Sequence, residues 1–471
     1  MIIEQIYTGC LAQGAYYIQS ENEAAIIDPL REIEPYLDRA EKGKAKIKYV
    51  FETHFHADFV SGHVDLSAKS GAEIVFGPTA VPSFKAHVAK DNEEFRIGKI
   101  KLKLLHTPGH TMESSCYLLT DENGAEKILF SGDTLFIGDV GRPDLAQKAA
   151  NMTREELAGL LFESLKNKIL PLNDDVIVYP AHGAGSACGK SLSKETFDTL
   201  GHQKKTNYAL DPKLTKEEFI EKVTTGLMPP PGYFPFNVGL NKSGYESFET
   251  VLARGMTGYD PEKFELVAEL EEALILDTRH QNDFIKEHIP GSVFIGIDGD
   301  FAPWVGALIP RIDQKILIIA QPGREEEVIT RLARVGYDKC IGFLDGGIQA
   351  WKKAGKNLES METINVEMLS RLNSNANINI LDVRKKSEFD SQHVLGAINA
   401  PLDYVNDSMA LVEKHKTYYV HCAGGYRSVI FISILNSRGF KNLINVDGGI
   451  NSIKQNDRLI LSEYVCPTTM L

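Results

Sequence analysis

The chain has 471 residues and a formal net charge of −13, with 43% hydrophobic and 24% charged residues. This length is too great for one hydrophobic core and predicts about three domains, while the acidic balance argues against nucleic acid and anionic membranes as partners. No basic start precedes an apolar segment, no apolar run nears the roughly 18 residues of a membrane helix, and six scattered cysteines form no Cys-x-x-Cys pair, so we expect a cytoplasmic protein with reduced thiols.

The first block of the chain, to about residue 245, alternates short strand-like runs with helical ones. Residues 15–18 and 24–27 predict a pair of strands. Four further predicted strands each end at a polar loop that carries a His or an Asp: 47–51, 101–105, 128–130 and 176–179. Such a layout is typical of a site at one edge of a sheet sandwich. The proline-rich residues 228–235 then predict a closing arm and linker.

The strand-end loops of this block carry a predicted metal site. Its six members are His54, His56, Asp58, His110, Asp133 and His182. The first three fall in one short run, at a spacing that converges imidazole and carboxylate groups on a metal. A related pattern, His-x-His-x-Asp-His, builds two-metal hydrolases in which the Asp and the final His hold the second ion. Here the final position is Phe59, which offers no ligand atom, so we predict a single-metal site. His63 and His106 lie just off the motif and are expected to orient neighbouring residues.

Beyond residue 245 the chain repeats itself. Residues 273–279, 288–292 and 344–348 are echoed in order by residues 378–384, 393–397 and 446–450. Three ordered echoes roughly 100 residues apart indicate a duplicated domain. Both copies alternate strands with helices, which predicts mostly parallel sheets covered on two faces.

The second copy contains a predicted nucleophile. A strand over residues 418–421 leads into the loop Cys422-Ala423-Gly424-Gly425-Tyr426-Arg427 and then an apolar helix over 429–435. Backbone N–H groups and the helix dipole favour an anion at such a loop. Because Arg427 adds a cation, we expect Cys422 to be a stabilised, nucleophilic thiolate.

The first copy has lost this cysteine. Either Ile319 or Ala320 stands opposite Cys422, depending on where a one-residue gap falls. The acidic residues 325–327 also place negative charge where the helix start should attract an anion. The first copy is therefore predicted to act as a spacer or docking domain.

On these motifs the first block resembles the metallo-β-lactamase superfamily, and within it the persulfide dioxygenases near the glyoxalase II branch. The matching pieces are THFHAD, HTPGHT, SGDTLF, GDVGRPD and YPAHG. The resemblance implies an αββα sandwich over residues 1–245 that holds one iron(II), with zinc as the less favoured metal. The implied ligands are His54, His110 and Asp133, a set suited to oxygen activation. His56, Asp58 and His182 would then support those ligands or be remnants of a second metal site.

The two copies resemble rhodaneses, with DVR, HVLGA, CAGGYR and DGG in family order in the second. The resemblance implies a degenerate α/β domain over residues 262–358 and an active one over residues 362–466. In the active domain it implies a persulfide on Cys422, with Gly424, Gly425 and Tyr426 at the substrate. The spacing from Cys422 to Arg427 is shorter than in related phosphatases, and a shorter loop suits a sulfur atom.

The glycine-rich residues 183–190 follow a ligand-type histidine and are predicted to line the substrate pocket. Lys190 or Arg142 could pair with a substrate carboxylate, although a solvated surface role is almost equally compatible with the sequence. Cys188 could carry a persulfide beside the metal, or serve only as a small buried residue.

The whole architecture is similar to persulfide dioxygenase–sulfurtransferase fusions that detoxify sulfide. The implied partners are a low-molecular-weight persulfide, O2 and sulfite or thiosulfate, and the resemblance also implies a homo-oligomer. The predicted division of labour forms sulfite in the first block and thiosulfate at Cys422; the opposite direction, in which the last domain feeds persulfide to the iron, is equally compatible with the sequence. Two alternatives remain: a glyoxalase II-like thioester hydrolase with appended sulfurtransferase domains, and a sulfur-carrier or docking protein without oxygen chemistry.

Overall fold

The computed structural model describes residues 1–375 and 378–466, and its first twelve strands form two six-stranded sheets. The first sheet has the order β1-β2-β3-β4-β5-β6 and consists of β1 (Ile2–Thr8), β2 (Gln13–Ser20), β3 (Glu23–Ile27), β4 (Lys46–Phe51), β5 (Glu73–Phe76) and β6 (His87–Val88). The second has the order β12-β11-β10-β9-β8-β7 and consists of β7 (Glu94–Ile97), β8 (Ile100–His106), β9 (Ser115–Thr120), β10 (Glu126–Gly132), β11 (Ile177–Pro180) and β12 (Asp198–Thr199).

Seven helices lie in the same part of the chain. They are α1 (Glu34–Lys42), α2 (His63–Ser70), α3 (Gln147–Ala150), α4 (Arg154–Ser164), α5 (Leu200–Thr206), α6 (Lys216–Thr224) and α7 (Phe234–Ser243). Short π-helical and 3-10 turns follow at Leu165–Ile169 and Tyr208–Leu210. The chain divides into two compact units, the first comprising Met1–Phe248 with Ala333–Gly336 and the second comprising Glu249–Leu332 with Tyr337–Leu471.

The layers of the first unit follow from which strand faces are apolar. Phe51 and Phe130 belong to a core between the two sheets. The first sheet also packs against α1 through Tyr36. The second packs against α4 and α6 through Leu161 and Phe219. Each sheet therefore buries both faces, which gives the predicted helix–sheet–sheet–helix sandwich.

The strands predicted for this unit are confirmed in place and pairing. β2 and β3 pair antiparallel, and each of the four other predicted runs overlaps one of β4, β8, β10 and β11. Residues 228–233 contain neither strand nor helix, as expected of an arm. The chain then forms α7, which remains in the first unit, so the compact unit extends beyond the predicted linker.

The second unit contains two five-stranded sheets of identical strand order, in which every pair of strands is parallel. The sheet of the first repeat, in the order β13-β17-β16-β14-β15, has β13 (Gly258–Tyr259), β14 (Leu274–Asp277), β15 (Val293–Phe294), β16 (Ile316–Ile319) and β17 (Cys340–Leu344). That of the second repeat, in the order β18-β22-β21-β19-β20, has β18 (Thr363–Ile364), β19 (Asn379–Asp382), β20 (Ile398–Asn399), β21 (Tyr418–His421) and β22 (Leu443–Val446).

Helices connect these strands in both repeats. After α8 (Phe248–Gly255), the first repeat has α9 (Pro261–Leu270), α10 (Gln281–Lys286), α11 (Phe301–Leu308), α12 (Glu325–Arg334) and α13 (Gly347–Lys353). The second has α14 (Val366–Asn375), α15 (Lys386–Ser391), α16 (Val405–Met409), α17 (Tyr426–Ser437) and α18 (Gly449–Ile453). In the part of the chain that the structure describes, no helix combines the length and apolarity that crossing a bilayer requires.

The duplication extends to individual contacts. Arg279 forks onto Asp277 in the first repeat, and Arg384 forks onto Asp382 in the second. His288 stacks on Phe284 with ring centroids 4.0 Å apart, and His393 stacks on Phe389 at 3.8 Å. Equal local contacts at equal positions confirm that the two copies share one fold.

The strand register also identifies the residue that stands in place of the cysteine. β14 pairs with β16 so that Asp277 lies opposite Ile319, and β19 pairs with β21 so that Asp382 lies opposite His421. Ile319 therefore corresponds to His421. Of the two residues that the sequence left open, Ala320 is the counterpart of Cys422.

Candidate metal centre and cysteine loop

All six predicted metal-site residues of the first unit are buried in loops that follow strands. The strands and the residues that follow them are β4 with His54, His56 and Asp58, β8 with His110, β10 with Asp133, and β11 with His182. Because these strands come from both sheets, the loops meet at one edge of the sandwich.

Three of these residues form one compact group of potential ligands. Nε2 of His110 lies 3.3 Å from Oδ2 of Asp133, and Nε2 of His54 lies 3.8 Å from the same oxygen. The two imidazole rings are nearly perpendicular, with centroids 5.0 Å apart. All three ligand atoms lie within 4.8 Å of one another. The structure thus brings together the three residues expected to hold the metal.

Hydrogen bonds on the far side of each ring orient these histidines. Nδ1 of His54 is 3.0 Å from Oγ1 of Thr53, whose hydroxyl donates to Oδ2 of Asp28 at 2.8 Å. The Thr53 oxygen therefore accepts from Nδ1–H of His54. Nδ1 of His110 donates in the same way to the carbonyl oxygen of Arg142 at 2.8 Å. Both rings then carry their proton on Nδ1 and turn the Nε2 lone pair toward Asp133, as a metal ligand requires.

Unpaired buried atoms at this group and at the neighbouring His182 also indicate a cation site. Nε2 of His110, both carboxylate oxygens of Asp133 and both ring nitrogens of His182 are buried and have no hydrogen-bond partner among the described residues. Buried polar atoms without partners are costly. A divalent metal held by Nε2 of His110 and the Asp133 carboxylate would satisfy those atoms, so the residues present fit a metal ion.

The remaining three histidine and aspartate residues form a second group beside the first. Nε2 of His182 lies 3.3 Å from Oδ2 of Asp58 and 3.6 Å from Oδ1 of Asp133, so Asp133 faces both groups. His56 directs Nε2 toward Oδ1 of Asp28 at 3.1 Å. Phe59 is fully buried with its ring centroid 4.3 Å from that of His56. An apolar ring therefore stands at the motif position where a two-metal site has its last histidine.

The neighbouring residues His54 and His56 have pKa values shifted in opposite directions. Burial lowers the pKa of His54 well below its usual value, and His56, His110 and His182 lower it further. Burial acts on the pKa of His56 in the same direction, but Asp28 and Glu52 outweigh it and raise that pKa to about 9. His54 is thus neutral and available as a ligand, whereas His56 is held by carboxylates.

Three supporting residues were missed by the sequence analysis. Asp28 follows β3 and anchors Thr53 and His56, and Glu52 lies 3.6 Å from His56. Asn241 of α7 donates to the carbonyl oxygens of His56 and Phe59, both at 2.8 Å. Asp28 could have been predicted, because it directly follows a strand, as the predicted site residues do. Nothing in the sequence indicates Asn241, because it lies far along the chain from the His56 and Phe59 carbonyl groups that it contacts.

The predicted substrate-binding cations have partners in the structure. Arg142 is 6% exposed and forks onto Asp144 through Nε at 2.6 Å and Nη2 at 2.8 Å. Lys190 is exposed, and its Nζ donates to the carbonyl oxygens of Lys222 and Thr225 at the end of α6. Their roles toward a substrate stay predictions.

Cys188 lies at the second group of potential ligands. Its sulfur is within 4.8 Å of ligand atoms of Asp133 and His182, and the side chain is buried. Burial raises the pKa of this thiol well above its usual range, and Asp58 and Asp133 raise it further. The structure therefore places Cys188 beside the metal ligands, while its role as a sulfur carrier stays a prediction.

The loop of the second repeat presents Cys422 at a helix start, as predicted. Gly425 adopts a φ of 103°, which favours glycine, and its N–H donates to the Cys422 sulfur at 3.1 Å. α17 begins at the next residue. Arg427 donates to both carboxylate oxygens of Glu388, at 2.6 and 2.9 Å, and so is held by an acidic partner. The exposed Gly424 lies beside Gly425 in the same loop.

In the equivalent loop of the first repeat, the Glu325 carboxylate occupies a backbone N–H group that could otherwise bind an anion. The N–H of Gly323 donates to Oε2 of Glu325 at 2.8 Å, ahead of α12. A carboxylate thus takes a backbone donor of this loop, and Ala320 stands where the sulfur would be. This arrangement supports the prediction that the first repeat performs no cysteine chemistry.

Comparison with known proteins supports the division into a metal unit and two repeats. The family model for the metallo-beta-lactamase superfamily matches residues 8–182, and the model for the rhodanese-like domain matches residues 261–354 and 365–456. A solved metallo-beta-lactamase structure from Staphylococcus aureus is 33% identical, covers 73% of this chain and 98% of its own, and has a TM-score of 0.64.

Two curated relatives of the first unit carry different activities in their names. Hydroxyacylglutathione hydrolase GloC of Haemophilus influenzae is 28% identical over 235 residues, 45% of this chain and 100% of the relative. The mitochondrial persulfide dioxygenase ETHE1 of Homo sapiens is 28% identical over 227 residues, 47% of this chain and 80% of the relative. Overall identity therefore does not separate a hydrolase from a dioxygenase.

His110→Ala tests the ligand assignment. We expect metal per chain, measured by elemental analysis after loading and desalting, to fall from about one equivalent to a small fraction of that. His106→Ala is the matched control, because the His106 ring is bonded to the carbonyl oxygen of Met112 at 2.8 Å and lies outside the groups of potential ligands among the described residues. Unchanged metal content in His110→Ala would contradict the assignment.

Phe59→His tests why one metal is preferred. The new imidazole would restore the last histidine of the two-metal pattern, so the bound metal should rise from about one to about two equivalents. Phe55→His is the control, since Phe55 lies in the same loop but packs against Phe76, with ring centroids 4.6 Å apart. Two equivalents already present in the unmodified chain would refute the role given to Phe59.

Proposed function

The chain belongs to the metallo-β-lactamase superfamily and carries rhodanese-like domains, and from this premise we propose that it is a bifunctional persulfide dioxygenase and sulfurtransferase. The observation that carries the proposal is the composition of the metal centre. Two oriented histidines and one carboxylate converge, while Phe59 stands at the position of a second-metal ligand. A second candidate site, the loop around Cys422, lies in the same chain.

We propose iron(II) as the metal, held by His54, His110 and Asp133. When bound, iron(II) supplies a centre at which dioxygen and a soft anionic sulfur react together. The residues of the chain contribute the rest: Thr53 and the Arg142 carbonyl fix the two rings, and burial keeps His54 neutral. The buried Phe59 ring, with its centroid 4.3 Å from that of His56, excludes water from that side of the site.

The proposed first reaction consumes a low-molecular-weight persulfide. In sum, a persulfide RSSH, dioxygen and water give the thiol RSH, sulfite and two protons. Lys190 and Arg142 remain candidates for the carboxylates of the thiol carrier, and Cys188 is the candidate to hold sulfur beside the metal. The glycine-rich residues 183–190 are the proposed lining of the carrier's binding site.

The proposed second reaction moves sulfur through Cys422. Its thiolate attacks the outer sulfur of a persulfide, the S–S bond breaks, and the carrier leaves as a thiolate. Sulfite then attacks the outer sulfur now on Cys422, which releases thiosulfate and returns the electron pair to the Cys422 sulfur. The N–H groups of Gly424, Gly425 and Tyr426 are the proposed donors for the anions in this loop, and Gly425 already donates to the sulfur at 3.1 Å.

A thioester hydrolase is the second candidate, because GloC aligns over its entire length and the second ligand group lacks only one histidine. That activity would use a metal-bound hydroxide to cleave a hydroxyacylglutathione, usually with two metals. Release of thiol from such a thioester by a chain with two bound zinc ions, without oxygen uptake from persulfides, would favour the hydrolase.

Cys422→Ser separates the two proposed reactions. Sulfur transfer to sulfite should be lost, because serine forms no persulfide, while oxygen uptake by the iron-loaded chain should stay unchanged. Thiosulfate formation and oxygen consumption are measured in the same sample. Cys466→Ser, which changes an exposed cysteine, should leave both activities intact. Loss of both activities in Cys422→Ser would contradict the division of labour.

A further inference from the structure

Tyr426, the first residue of α17, places its side chain in the first repeat. Its hydroxyl donates to the carbonyl oxygen of Gly296 at 2.7 Å. Its ring lies against Gly299 so closely that a Cβ built there would be 2.4 Å from Cζ of the tyrosine. The ring also meets Phe294 edge to face, with centroids 5.8 Å apart. Tyr426, which begins α17 of the second repeat, therefore packs into the first repeat.

The seat for Tyr426, residues 296–299, is itself held by the helix that corresponds to α17. Arg331 of α12 donates to the carbonyl oxygen of Ile297 at 2.7 Å. Arg324, just ahead of α12, donates to Oδ1 of Asp298 at 2.8 Å. Charged groups of the first repeat thus hold the segment against which the Tyr426 ring packs.

The middle of α17 also depends on the first repeat. Every residue from Ser428 to Leu435 is buried, as expected for a helix covered on more than one side. The N–H of Phe294, on the edge strand β15, donates to Oγ of Ser433 at 3.0 Å. The first repeat therefore contacts α17 at its start and at its centre.

The start of α17 determines where Cys422 lies. The N–H that reaches the Cys422 sulfur belongs to Gly425, which directly precedes Tyr426. Because Gly425 is a single left-handed residue between the loop and the helix, a displaced Tyr426 would move this donor relative to the sulfur.

We propose that the first repeat, which has Ala320 in place of the loop cysteine, acts as a clamp that positions the Cys422 loop, with Tyr426 as the positioning residue and Gly299 as its seat. This inference rests on the proposed sulfur transfer at Cys422 and assigns a role to the repeat that has lost its own nucleophile. The clamp is defined by the contacts of Tyr426 with Gly296 and Gly299.

Gly299→Ala in the full chain is the sharpest test. It changes no residue of the second repeat, and the backbone at Gly299 lies outside the left-handed region, so alanine fits its conformation. The added methyl group must displace the Tyr426 ring. Gly239→Ala is the matched control, since a Cβ there meets no atom within 4 Å. Tyr426→Ala and Tyr426→Phe remove the ring and the hydrogen bond respectively, and the exposed Tyr464 supplies the control Tyr464→Ala.

Two quantities are measured for each variant: the pH profile of Cys422 alkylation by iodoacetamide, followed by peptide mass, and kcat and KM for sulfur transfer to sulfite. We expect Gly299→Ala and Tyr426→Ala to shift the alkylation profile and to lower kcat about tenfold. Tyr426→Phe, which keeps the ring, should lower kcat about two- to threefold. Both controls should match the unmodified chain.

Unchanged alkylation and kcat in Gly299→Ala would overturn the clamp, even if Tyr426→Ala proved too unstable to study. Absence of sulfur transfer in the unmodified chain would contradict the proposed function instead. The alkylation profiles would still decide the clamp in that case, because they report the surroundings of Cys422 without any sulfur substrate.

Discussion

The site of the first unit depends on one buried carboxylate, that of Asp133. Its Oδ2 faces His54 and His110 and its Oδ1 faces His182, so residues from several loops meet at a single side chain. Such a cluster of buried, unpaired polar atoms is unfavourable by itself and favourable around a cation. Metal binding and the closing of these loops are therefore expected to be coupled, with Thr53 and the Arg142 carbonyl orienting the rings beforehand.

Much of this arrangement could be predicted because it follows strand ends. A histidine or aspartate just after an apolar run is visible in sequence, which is how His54, His110, Asp133 and His182 were found. Asn241 was not visible, since it acts through backbone carbonyls of a loop far away in the chain. The pairings of Arg142 with Asp144 and of Arg427 with Glu388 were also missed, because a sequence shows a cation but not the partner its side chain chooses.

The duplicated unit shows a similar limit. The echoes in sequence predicted two copies of one fold, but strand register was needed to identify Ala320 as the counterpart of Cys422. The proposed role of the first repeat as a clamp could not be predicted from the sequence. It depends on two glycines and a tyrosine from different repeats, none of which forms a motif with the others. Under the proposed clamp, a domain that has lost its nucleophile keeps a function through the surface that it offers to its neighbour.

The central claim is that one chain couples persulfide oxidation to sulfur transfer. The most direct test is oxygen uptake by the chain loaded anaerobically with iron(II) and given glutathione persulfide, with sulfite and thiosulfate quantified together. The account predicts oxygen consumption with thiosulfate as the main product. No oxygen uptake with this or any other low-molecular-weight persulfide, together with hydrolysis of a glutathione thioester, would contradict it.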